Sequence, residues 1–197
     1  MRSANTGRDW RASASISNSP RCRFVMPGLE ALDETLKPDA TLHFGLAARR
    51  KFFSIETRAL NRLSLLHCDA SGARAPCLAI IPGAPHAARS TFPYRQVAAA
   101  FRREGLRSRL SANAGDYVCN ETLYLSLARS HARAIGFIHV PRLLRAKRPK
   151  NASRGRRLSL SDVIRAALIA ILAVARKLRQ DRAKDLRSTS SYHNSVN

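Results

Sequence analysis

Three observations predict a single α/β domain, a three-layer sandwich with a mainly parallel sheet and helices on both faces. Residues 106–110, 118–129 and 134–140 read in direct succession as a short strand, a helix of about three turns and a mostly apolar strand. Earlier in the chain, a helical pattern over 27–37 leads into a strand over 39–45, so helices and strands alternate as a layered sheet requires. The length of 197 residues suffices for one real core and is too short for two.

Taken in order, Met1 to Met26 is rich in Ser, Arg and Asn and has no apolar run of the secretory type, so it is expected to be a disordered N-terminal segment. The domain is expected over 27–179. It opens with Pro27 at a helix start and Leu29, Leu32 and Leu36 at helical spacing. Asp39 to Gly45 reads as the next strand, and the run from Leu46 to Asn61 as the loop after it. Leu63 to Leu66 and Cys77 to Ile81 read as short strands, and Pro82-Gly83-Ala84-Pro85 as the turn that ends the second; His86 is placed on the surface. Tyr94 to Arg103 is an amphipathic helix with Val97, Ala98 and Phe101 inward and Gly105 closing it.

Beyond the strand 134–140, residues 145–157 hold seven basic side chains in thirteen and are expected to form a solvated loop. Ser159 is an N-cap candidate with Asp162 three residues on, and a helix is expected over 163–179. Its apolar stretch Ala166 to Ala175 is ten residues, half of what a membrane span needs, so packing against the sheet is expected and no membrane partner. A disordered tail is expected over 180–197.

The chemistry centres on Cys119. The turn and cap residues Ala114-Gly115-Asp116 start a helix near Tyr117, so Cys119 falls in the first helical turn, where free N–H groups and the helix dipole favour a thiolate. His139 stands at the end of the strand that comes after this helix. If strand, helix and strand form a parallel unit, the histidine returns to the pole from which the cysteine's helix departs, and a neutral imidazole there can take the thiol proton. The loop after the strand 39–45 brings Glu56 to the same pole, placed to hold the far nitrogen of His139. The bland readings are a space-filling cysteine and a solvated, ion-paired glutamate.

These stretches resemble the type I pyroglutamyl peptidases, also called pyrrolidone-carboxylate peptidases. The cysteine motif is similar to Ala114, Gly115, Tyr117, Val118, Cys119, Asn120 and Tyr124, and the histidine motif to Gly136 through Pro141. The glutamate motif is matched by Gly45, Ala47, Arg50, Glu56, Ala59 and Asn61. The resemblance covers roughly 27–177. It implies a Cys119, His139, Glu56 triad on an α/β sandwich, a cytoplasmic cysteine peptidase acting on peptides with N-terminal pyroglutamate, and no metal or organic cofactor. Self-association into homo-oligomers is left open.

The resemblance does not extend to Met1–Met26, where the family has a buried strand and a Gly-Phe-Pro-Phe-Gly type loop that holds the pyroglutamyl ring. Two readings therefore stay open: a working peptidase, and a catalytically silent or truncated relative without a working substrate pocket.

Composition bears on the remaining classes. Lys plus Arg number 35 against 13 Asp plus Glu, a formal +22, yet aromatic residues are 6% and no nucleic-acid-binding motif is present. Specific nucleic-acid recognition is not expected. Four cysteines at 22, 68, 77 and 119 form no CxxC pair and no disulfide framework, which points to a reducing compartment. His67-Cys68 lacks a second pair at ligand spacing, so no metal is expected.

Overall fold

The computed structural model describes residues 27–68, 72, 74–75, 77–143 and 158–193. The expected N-terminal segment and the basic loop 145–157 lie outside them. The elements in chain order are α1 (Pro27–Leu36), β1 (Ala40–Leu46), β2 (Phe53–Glu56), β3 (Arg58–Leu60), β4 (Ala87–Arg89), α2 (Tyr94–Arg103), β5 (Ser108–Ser111), α3 (Val118–Arg129), β6 (Ala134–Val140) and α4 (Leu160–His193).

Four strands form the main sheet in the order β1-β6-β2-β5, with β3 and β4 paired separately. β1 runs parallel to β6 and β2 parallel to β5, while β2 runs antiparallel to β6. The sheet is thus mostly parallel, as expected, but mixed. One consequence corrects the sequence reading: β5 and β6 run in opposite directions, so β5, α3 and β6 do not form a parallel crossover unit. Glu56 is also corrected, from a loop to the last residue of β2. The sequence hides this strand because it is only four residues long and comes just after the basic run Arg49-Arg50-Lys51.

Strand alternation divides the core in two. Phe53, Ile55, Ala134, Ile138 and Val140 face α2 and α4, where Val97, Phe101, Ala166, Ala170 and Val174 pack against them. Ile135 and Phe137 face the other way, against Leu123, Tyr124 and Leu127 of α3. Helices therefore cover both faces. His139 shares the α3 face with Phe137. Ser54, its ladder partner, and Glu56, two residues further on, share that face too.

Local chemistry explains the helix ends. Leu106 N–H bonds the carbonyl of Phe101 at 2.8 Å and Gly105 N–H that of Arg102 at 3.1 Å, with Gly105 at φ +67. That pattern is a Schellman close, which needs the left-handed backbone that glycine adopts without strain. At the start of α4, Ser159 Oγ accepts from Asp162 N–H at 3.2 Å, and Asp162 Oδ2 accepts from Ser159 N–H at 3.0 Å, a reciprocal capping box. Past Arg179, where a disordered tail was expected, α4 continues to His193.

Two expected strands are absent. Neither 63–66 nor 77–81 forms a ladder; instead Leu63 N–H bonds the Leu78 carbonyl at 2.6 Å and Ser64 N–H that of Asp116 at 2.6 Å. Cys77 is disulfide-bonded, against the framework-free reading of the cysteines, while Cys68 and Cys119 are free. His86 is exposed, as expected.

Gly136 makes the tightest approach in the sheet. A Cβ there would lie 2.4–2.8 Å from the Phe92 side chain, including 2.6 Å from its own Cβ, which cannot swing aside. Gly136→Ala is expected to cost about 2 kcal/mol of stability, read as a lowered urea midpoint at unchanged slope.

Candidate active site

Cys119 is the second residue of α3, after Tyr117 at the N-cap position. Tyr117 supplies no side-chain cap bond. The helix start is held from outside instead. Asn120, fully buried, accepts from Leu60 N–H at 2.9 Å and donates to the carbonyls of Leu60 and Arg62 at 2.8 and 3.0 Å. It acts as an extra strand residue against β3. Asn61 does similar work nearby, donating to Ile81 and Ala84 and accepting from Ile81 N–H. Tyr124 anchors the next turn through its hydroxyl, which donates to Pro85 O at 2.6 Å. These bonds hold the start of α3, and Cys119 with it, against β3 and the 81–85 turn.

His139 is 4% exposed and its Nδ1 lies 2.8 Å from Glu56 Oε1. The same oxygen accepts from Arg50 Nη1 at 2.6 Å. Arg50 also donates through Nη2 to Asn113 O at 2.8 Å, tying the loop before β2 to the loop that leads into α3. Burial pushes the Glu56 carboxyl up, but the His139 and Ser111 side chains and the charge of Arg50 outweigh it, so Glu56 stays below the usual carboxylate range. It is a buried anion with two cationic or donating neighbours.

Gly45 accounts for the room the sulfur needs. It is the ladder partner of His139 on β1. A Cβ at Gly45 would meet Cys119 Sγ at 3.0 Å and the Phe137 ring at 2.7–2.8 Å. Paired strands are about 4.8 Å apart, so Sγ over Gly45 and the imidazole of His139 occupy neighbouring positions on one face. Phe137 packs beside the histidine, with ring centroids 4.8 Å apart.

Of the three residues singled out in the sequence, Glu56 and His139 are in direct contact and Cys119 Sγ stands over Gly45, the strand partner of His139, by a different route from the one expected. No shared strand pole does it. The 112–117 loop turns back toward the sheet and is pinned there, by Arg50 at Asn113, by Arg58 Nε to Ala112 O at 2.9 Å, and by Ser64 N–H to Asp116 O. The expectation of a favoured thiolate is also corrected: burial pushes the Cys119 thiol up, and Glu56 adds to this, while Arg50 and the cysteine's own N–H pull it down without prevailing. Desolvation outweighs the combined pull of Arg50 and the backbone N–H.

Two groups were missed as participants. Arg50 stood in the glutamate motif without a role, and nothing local in Ala-Arg-Arg-Lys marks which arginine turns inward. His43, also facing α3, bonds Ser126 Oγ at 2.9 Å. Its place within the strand already read over 39–45 was the available signal. Among the described residues no cluster of His, Cys, Asp or Glu could hold a metal.

Residues 27–177 match the pyroglutamyl peptidase family. The chain belongs to that family. Its relatives include the pyrrolidone-carboxylate peptidase of Pyrococcus furiosus, 38% identical over 57% of this chain and 56% of that protein. Pyrrolidone-carboxylate peptidase 1 of Caldanaerobacter subterraneus is 31% identical over 78% and 76%. The crystal structure of pyrrolidone carboxyl peptidase from Thermus thermophilus superposes with TM-score 0.62 at 35% identity, over 72% of this chain and 74% of that one. The enzyme from Thermococcus litoralis gives 0.68 at 26%, over 78% and 73%. The chain spans little more than half the length of the Pyrococcus relative.

Proposed function

We propose that the chain is a cysteine peptidase that removes N-terminal pyroglutamate from peptides, with Cys119 as nucleophile. The observation that carries this is the 2.8 Å contact of His139 Nδ1 with the buried Glu56, on the sheet face where Cys119 Sγ stands over Gly45. The carboxylate accepts the Nδ1 proton, which leaves Nε2 as the free base. Because burial keeps Cys119 a thiol, sulfur attack requires that base.

In the first half-reaction the thiol proton passes to His139 Nε2 as sulfur bonds to the pyroglutamyl carbonyl carbon. The oxyanion develops toward the N–H of Cys119 at the positive end of α3. The tetrahedral species collapses to a thioester, the peptide C–N bond breaks, and the leaving amine takes the proton from His139. Water, deprotonated by the same imidazole, then attacks the thioester and restores the thiol. Glu56 and Arg50 position the histidine, and the chemistry calls on no metal or organic cofactor. We place the protein in the cytoplasm, where a catalytic thiol such as the free Cys119 is kept reduced, even though Cys77 is disulfide-bonded.

The test is fluorophore release from pyroglutamyl-aminomethylcoumarin by the purified full chain, and its loss in Cys119→Ala. The second reading is the catalytically silent relative without a working substrate pocket. A chain that melts cooperatively yet releases no fluorophore would establish that reading and reject ours.

A further inference from the structure

The long helix α4 carries two apolar faces, one against the sheet and one outside. The residues it buries are small, Ala166, Ala170 and Val174. Val163, Ile169 and Leu178 pack beside them, but five further large apolar side chains point away from the domain: Leu160, Ile164, Leu168, Ile171 and Leu172 are each 53–63% exposed. At 100° per residue these five form one stripe along roughly three and a half turns, distinct from the stripe that meets the sheet. Packing against the domain therefore explains Ala166, Ala170 and Val174, with Val163, Ile169 and Leu178 beside them, and leaves the five exposed residues without a purpose.

The second half of the helix has the opposite character. Between Arg176 and Arg187 it holds six basic residues against Asp181 and Asp185. Arg176, Arg179 and Arg182 are exposed, and Arg165 flanks the stripe in the first half. An occupant of this surface must accept apolar side chains and bear negative charge, on a chain that already carries +22. Nucleic acid meets the second demand but not the first. A second copy can meet the first, by antiparallel pairing centred on the stripe, but not the second, since it brings another +22 rather than negative charge. An anionic bilayer surface meets both. Its acyl boundary takes the stripe and its headgroups take the arginines.

We infer that the exposed stripe of α4 docks the protein peripherally on membranes rich in anionic phospholipid, with the helix lying in the interface. It does not span, and no helix of the described residues is long and apolar enough to do so.

The experiment is co-sedimentation of the full chain with vesicles of phosphatidylcholine alone or mixed with phosphatidylglycerol. Two double variants accompany it, Leu168→Ser/Ile171→Ser and Arg176→Gln/Arg179→Gln, each first shown to melt like the wild type. The expected result is pelleting with the mixed vesicles only, and a fall of about tenfold or more in partition coefficient for either variant. The inference is overturned if the wild type stays in the supernatant. It is equally overturned if the Leu168→Ser/Ile171→Ser chain pellets as well as the wild type, which would mean charge alone is acting. A third overturning result is a concentration-dependent dimer, broken by those two substitutions, with no vesicle binding.

Discussion

Glu56→Gln is expected to lower kcat/KM toward a pyroglutamyl amide by about three orders of magnitude, with most of the loss in kcat. The substitution keeps the length of the side chain and an oxygen to accept from His139 and Arg50. What it removes is a negative charge, in a site where the carboxylate has no exposure to solvent that could screen it. The imidazole becomes an imidazolium in each transition state, so the missing charge is felt there far more than in the resting enzyme. Because Glu56 touches no substrate, KM should stay within about threefold. The same change leaves the Arg50 guanidinium, 18% exposed, without its counter-charge, and a stability loss of about 3 kcal/mol is expected alongside. Steady-state kinetics below the melting transition separates the two effects. A variant within tenfold of wild type in kcat would mean that the 2.8 Å contact is structural only, and the positioning role would have to be abandoned.

How much of this was legible beforehand differs between the parts of the site. The elements with strong local signals, α2 with its Schellman close, α3 and β6, have the bounds that periodicity and cap residues set out. Strand direction was not legible. Nothing in Leu106 to Val140 tells that β5 runs against β6, because a strand's direction is decided by neighbours far along the chain, here β2. For the same reason Glu56 could be picked by its motif but not placed. Its four-residue strand is held by β5 and β6 on either side rather than by its own pattern. The ionisation of Cys119 failed to be legible for a different reason. A helix start can be read from sequence, but the desolvation that opposes it depends on Phe137 and on how deeply α3 settles. The local pattern carries the dipole and omits the burial.

His43, on the α3 face of β1, should dominate the acid stability of the domain. Burial lowers its pKa from 6.5 to about 4, against an opposing pull from Asp33, so the folded protein holds it neutral where the unfolded chain would protonate it. Proton counting gives the sign. Between pH 6.5 and 4 the unfolded state binds more protons at this site, so its contribution is complete above pH 6.5 and drains away as pH falls toward 4. The full shift corresponds to about 3 kcal/mol, of which about 2 is gone by pH 5, a large part of the stability of an ordinary domain. Glu56 adds a separate loss at lower pH. Its depressed carboxyl stabilises the fold above the unfolded value of 4.5 and ceases to do so only as pH falls below it, so the interval from 6.5 to 5 belongs to the histidine. His43→Gln keeps a side chain able to bond Ser126 but cannot titrate. Urea denaturation at pH 7.5 and pH 5 should therefore show a difference of about 2 kcal/mol for the wild type beyond that of the variant. Equal losses in the two proteins would show that His43 is free to protonate in the fold, and that solvent reaches the α3 face of β1.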